Sequence, residues 1–286
     1  MWKFYADIKS PDKAPLLTLH DCFERYKREV LPTKAPRTQK DYSRHIVILD
    51  QRFGHMRPDE LQARDIGQFL DRPKGKIQAN RQVAVLSAIY AKMVGRWYVA
   101  EKNPCRDVER NESRRRTRYV TDEEYAAVYS LAKPRVRCAM ELALLTGQRQ
   151  GDLLALPWSN VTDEGILFKQ GKTGKRLLVT LSEALRAALQ KCKELEPQIH
   201  IGGYVLRTRR GKPYTGEGFR AVWQRTMGKA IKTGALKERF TFHDLRAKSV
   251  SDSVDIQKAF ERAGHTSMAM TRGVYDRGIR KVTPLK

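Results

Sequence analysis

Cysteine is scarce, and metal-binding spacing is missing. The 286-residue chain has four cysteines (Cys22, Cys105, Cys138 and Cys192), widely separated and with no CxxC pair. Its six histidines form neither HExxH nor HxH. These patterns argue against a structural zinc site and a disulfide framework. No apolar run is long enough to span a bilayer, and the opening "MWKFYADIKSPDK" is mixed and charged, unlike a signal peptide. No GxxxxGK[ST] loop occurs, so the phosphate cradle of a P-loop ATPase is missing too. Acid is short: 32 Asp+Glu stand against 56 Lys+Arg, a net charge of +24. Such an excess calls for a polyanionic partner, with nucleic acid first and an anionic membrane surface second. The expectation is a cytoplasmic protein with no metal or other cofactor.

What is present is helical periodicity. "LHDCFERYKREVL" (19–31) places Phe23, Tyr26 and Val30 at spacings of three and four. "TQKDYSRHIVILDQRFG" reaches a glycine stop at Gly54, and "ARDIGQFLDR" is a short helix. "NRQVAVLSAIYAKMVGRWYV" carries Val83, Leu86, Ile89, Tyr90 and Met93 on one face. Four helices without a strand signal predict a helical domain over 17–105. "RDVERNESRRRTR" (106–118) has no apolar face and reads as a basic linker that could lie along a phosphate backbone. Beyond it, Thr121 to Glu124 form a capping box, and Pro134 and Gly147 bracket an apolar helix. "GILFKQ" and "RLLVT", joined by "GKTGK", predict a β-hairpin. Two amphipathic helices follow, in "SEALRAALQKCKEL" and "GEGFRAVWQRTMGKAI". The predicted fold class is mainly α: a helical N-terminal domain, then an α+β domain over 119–286, mostly helical with a small antiparallel sheet.

The stretch "TGQRQGDLLALPW" (146–158) puts Arg149 and Asp152 at the end of an apolar helix. Burying ions there is costly unless they pair or meet a charged ligand. Four further features lie downstream: Lys172 in the hairpin turn, His243 and Arg246 in "FHDLRA", His265 in "AGHTS" and Tyr275 in "MTRGVYDRG". Together they supply a phosphate clamp, proton-transfer groups and a candidate nucleophile.

In the order Arg…Lys…His-x-x-Arg…His…Tyr the chain resembles the tyrosine site-specific recombinases of the phage integrase family, over roughly residues 17–286. "TGQRQGDLLALPW", "KQGKTGKRLLV", "FHDLRA" and "AGHTSMAMTRGVY" resemble its four motifs in sequence order. The resemblance implies that Arg149 and Arg246 hold the scissile phosphate and that His265 adds a further donor. Lys172 would be the general acid, His243 the proton-transfer partner and Tyr275 the nucleophile, with Asp152 supporting the site's cations. Two departures stand out. Asp152 occupies a position where glutamate is also common, and ten residues separate His265 from Tyr275 where nine is commoner. Cleavage through a 3′-phosphotyrosine would conserve bond energy, so no ATP is called for.

The resemblance further implies a core-binding domain over 17–105 that clamps duplex attachment sites together with the catalytic domain over 119–286. It also implies a tetramer in synapsis and allows for a host DNA-bending protein and an excisionase. With only the first sixteen residues preceding the helical domain, a separate arm-binding module is expected to be missing. Two rivals stay open: a type IB topoisomerase-like relaxing enzyme, and a non-catalytic DNA-binding regulator.

Overall fold

The computed structural model describes residues 17–113, 116–195, 203–264, 267–270 and the single positions 273, 275 and 277. The chain divides into two compact units between residues 114 and 115. Among the described residues, no helix is long and apolar enough to cross a membrane.

The first unit is helical, with α1 (Leu19–Glu29), α2 (Pro36–Phe53), α3 (Ala63–Leu70) and α4 (Lys76–Lys92). Thr18 and Asp21 cap α1 reciprocally, and Pro36 opens α2, where a proline's missing N–H costs nothing. The face predicted from periodicity is buried: Val83, Leu86, Ile89, Tyr90 and Met93 pack with Phe23, Tyr26, Leu49 and Phe53. Val30 packs at the edge of this core. The last helix departs from the sequence expectation at both ends. It starts at Lys76, because Gly75 adopts a left-handed φ of +77° that turns the chain directly into the helix. After Lys92 it widens into a π-type turn, Met93–Trp97.

The second unit contains α5 (Asp122–Leu131), α6 (Pro134–Thr146), α7 (Gln150–Leu154), β1 (Gly165–Lys169), β2 (Arg176–Thr180), α8 (Glu183–Glu194), α9 (Gly216–Lys232), α10 (Asp244–Ser251) and α11 (Ile256–Ala263), then a single turn at Met268–Met270. The capping box predicted at Thr121 forms, with Glu124 N donating to Thr121 Oγ1 at 3.2 Å and Thr121 N to Glu124 Oε2 at 3.1 Å. β1 and β2 pair antiparallel, Gly165 opposite Thr180 and Lys169 opposite Arg176. Helix α6 packs against both α8 and α10. Its core neighbours include Leu153, Ile166, Phe168, Phe219, Trp223, Phe242 and Leu245. The mainly α architecture with one small antiparallel sheet matches the expectation.

Candidate active site

Two turns and a hairpin place the charged residues. At the end of α6, Gly147 takes a left-handed φ of +63°, and a Cβ there would come within 3.1 Å of Ser249 Oγ. The turn ends the apolar helix and sets Arg149 just before α7. Arg149 keeps a side-chain exposure of 19%, whereas Asp152 is nearly buried at 7%; they stand 3.9 Å apart. That is too long for a hydrogen bond. Asp152 instead accepts from Gly171 N–H at 2.9 Å through Oδ1. Its carboxylate therefore joins the first arginine motif to the hairpin turn beside Lys172. Arg149, Asp152, Gly171 and Lys172 line one open cleft of about 450 Å³. Lys172 is exposed on the turn, as its place between two strands predicts.

Aromatic packing positions the second motif. Phe242 stacks edge-on against Phe219 (4.9 Å) and Trp223 (5.2 Å), fixing the residue before His243. His243 and Arg246 then sit on the first turn of α10, three residues apart and neighbours in space. Arg246 is 1% exposed. Its guanidinium donates to Gly147 O at 2.5 Å and Ala263 O at 2.8 Å, while its buried Nε makes no hydrogen bond among the described residues. Burial, followed by repulsion from Arg149, pushes Arg246 down to about 10. An anion between these two cations would relieve that repulsion.

Tyr275 joins this group. Its hydroxyl lies 3.3 Å from His243 Nε2, and the Arg246 guanidinium stands 5.3 Å from its ring centroid. Burial lowers the pKa of His243 below 6.5, and Arg246 lowers it further. The imidazole is therefore neutral at pH 7 and can accept a phenolic proton. On its C-terminal side the Tyr275 backbone is held by Ser251, whose hydroxyl donates to Tyr275 O (3.0 Å) and accepts from Arg277 N (2.7 Å).

Six of the seven residues singled out in sequence thus gather in two linked groups. Arg149, Asp152 and Lys172 line the cleft; His243, Arg246 and Tyr275 form a contact cluster. His265 lies outside the described residues. Sequence reasoning missed the groups that support this set. Asp244, 1% exposed, holds Arg277 (2.7 Å) and Arg116 (2.9 Å). Burial would raise its pKa, but hydrogen bonds from Thr241 and the two cations hold it below the usual carboxylate value. Gln148 and Gln170 are also buried, at 1% and 0% exposure. A signal for Gln170 existed. Strand alternation buries Ile166 and Phe168, and Gln170 falls at the next inward position, where a polar residue needs partners. Among the described residues, no group of three or more His, Cys, Asp or Glu side chains comes together as a metal cage would require.

The chain is similar to known proteins. The chain is 28% identical over 196 residues to the integrase of Escherichia phage HK022, covering 63% of this chain and 54% of that one. It is 25% identical over 249 residues to the integrase of Escherichia phage lambda, covering 82% and 68%. The chain thus spans about half the length of the HK022 protein and about two thirds of the lambda protein. Among solved structures, a lambda integrase tetramer bound to a Holliday junction superposes with a TM-score of 0.79 at 25% identity, over 99% of this chain and 83% of that one. The model of the phage integrase family matches residues 118–278, more than half of the chain and the whole stretch from the capping box to Tyr275. With that match spanning Arg149, the hairpin turn, Arg246 and Tyr275, the chain belongs to the phage integrase family of tyrosine recombinases.

Proposed function

We propose that this protein is a site-specific DNA recombinase, integrating or excising a phage or other mobile element through a 3′-phosphotyrosine intermediate. The observation that carries this reading is the Tyr275 hydroxyl set 3.3 Å from a neutral His243, beside the buried Arg246. The phenolic oxygen attacks the scissile phosphorus and passes its proton to His243 Nε2. Arg149 and Arg246 hold the non-bridging oxygens, where planar guanidinium forks neutralise developing charge without a metal. The bond from phosphorus to the 5′-oxygen breaks, and Lys172 protonates the departing oxygen. His265 would add a donor to the same phosphate. Attack by a second strand's 5′-hydroxyl reverses the steps, so no ATP is consumed.

The helical residues 17–105 would serve as a core-binding domain, 106–118 as a basic linker and 119–286 as the catalytic domain. The structures of lambda integrase on DNA core sites and as a tetramer on a Holliday junction support duplex attachment sites and a synaptic tetramer for this chain too. The +24 charge supports the same partner. A host DNA-bending protein and an excisionase would assist. The place of action would be the cytoplasm of a bacterial host, at the nucleoid.

The test is a nicked duplex carrying the core repeat that flanks the integrated element. Cleavage should leave a covalent protein–DNA adduct in excess EDTA. An adduct that forms only with added magnesium, or no adduct at all, sinks the reading. Sequence-independent relaxation of a plasmid lacking the site would favour the topoisomerase rival instead.

The pH profile supplies a second check. Because burial, then Arg246, depresses His243, its neutral form persists to lower pH than that of a free imidazole. With sub-saturating DNA, where the rate reports the free protein, adduct formation should fall on acidification with a midpoint below 6.5. Folding shares this sign. The neutral imidazole's contribution is present above the unfolded value and is lost as pH drops from 6.5 toward the depressed one. An acid limb centred above pH 6.5 would rule out His243 as the proton acceptor.

A further inference from the structure

Gln170 is wholly buried, and all four hydrogen-bonding sites of its amide are occupied. Oε1 accepts from Arg149 Nη1 at 2.9 Å and from Thr173 Oγ1 at 2.9 Å. Nε2 donates to Gln148 Oε1 at 2.8 Å and to Ala263 O at 3.0 Å. The amide cannot be flipped, because a guanidinium only donates and a main-chain carbonyl only accepts. These bonds reach three segments that carry reactive groups. Arg149 belongs to the first motif, and Thr173 adjoins Lys172. Ala263 ends the helix leading to Gly264 and His265. The same Ala263 carbonyl also receives Arg246, so one carbonyl couples Gln170 to the second arginine.

The surroundings are built to admit this amide. Gly264 has a left-handed φ of +64°, and a Cβ there would lie 2.6 Å from Gln170 Nε2. Gln148 extends the relay by donating to Arg262 O at 2.6 Å and Thr146 O at 3.2 Å. The acceptor offered to Arg149 is also neutral. A carboxylate at this position would cancel the charge that a phosphate needs, whereas an amide orients the guanidinium and leaves its charge available.

We propose that Gln170 is a positioning residue for phosphate binding. It orients Arg149 with a neutral acceptor and ties the hairpin turn to the helix end that also receives Arg246. The proposal rests on the recombinase reading above and adds a residue to it. Gln170→Met keeps side-chain length and removes the polar contacts. Its rate of adduct formation on the nicked core duplex should fall about 100-fold, the scale expected from misplacing a reacting group by an ångström. In an Arg149→Lys background, where the forked guanidinium is already gone, the same change should cost less than about threefold, because coupled residues are not additive.

Losses that multiply in the two backgrounds would make Gln170 a general packing residue and overturn the proposal, as would a Gln170→Met chain that cleaves at the parental rate. Thermal melting accompanies each measurement. If Gln170→Met does not fold, Gln170→Glu in both backgrounds carries the same comparison. A chain that folds with neither side chain would make the amide purely structural and also overturn it. Failure of the recombinase reading looks different: the unmodified chain then forms no adduct, before any variant is compared.

Discussion

A Tyr275→Phe chain should bind its core site with parental affinity and form no covalent adduct. Cleavage should fall by at least about four powers of ten, since the proposed mechanism bonds phosphorus through this phenol. The substitution is clean for a structural reason. The phenyl ring keeps its place 5.6 Å from His243 and its face toward Arg246, and the Ser251 contacts to Tyr275 O and Arg277 N do not involve the ring. The hydroxyl's 3.3 Å contact with His243 is lost while the ring stays packed, so the melting temperature should move little. Mass spectrometry of the parental adduct should locate the DNA on Tyr275. DNA found on another side chain, or a phenylalanine variant that still cleaves, removes Tyr275 from the role of nucleophile.

What could be read in the sequence was set by local rules. A capping box, a first-turn proline and a glycine stop involve residues within a few positions of one another, so Thr121, Pro134 and Gly147 mark their helices correctly. The hairpin was legible because strand alternation and turn composition are equally local. The sequence places Arg149 and Asp152 together at the end of a core helix, but it does not show the partner that holds the carboxylate. It binds Gly171 N–H, nineteen positions away. No spacing rule connects those two residues. The Gln170 relay was hidden for the same reason, since its partners lie 22 and 93 positions off. Lys248 is another case: it is 1% exposed, and beside its i+4 neighbour Asp252 (2.9 Å) it pairs with the distant Asp122 (2.7 Å). Sequence shows such a residue only as one more lysine in a basic chain. Long-range polar partners become visible when the backbone brings them together.

Lys172→Ala should lose about two to four powers of ten in cleavage rate on ordinary DNA, the usual worth of a positioned general acid. The argument depends on the leaving group. When phosphorus is attacked, the 5′-oxygen departs as an alkoxide unless a proton reaches it, and Lys172 projects from a hairpin turn into the cleft that Arg149 lines. A substrate with sulfur in the 5′-bridging position changes that requirement. A thiolate leaves without a proton, so Lys172→Ala should recover most of its loss on the sulfur substrate. Arg149→Ala should not recover, because the non-bridging oxygens carry the same charge in both substrates and still need a clamp. Lys169 and Lys175 are exposed neighbours on the same hairpin, and alanine at either should cost little on both substrates. They separate a specific proton donor from general attraction between a basic turn and a phosphate backbone, which would spread a modest loss over all three lysines. If Lys172→Ala is equally slow on oxygen and sulfur substrates, the proton comes from elsewhere and Lys172 only binds DNA. Asp152 would then matter to the hairpin through its bond to Gly171 N–H alone, and not by holding a general acid in place.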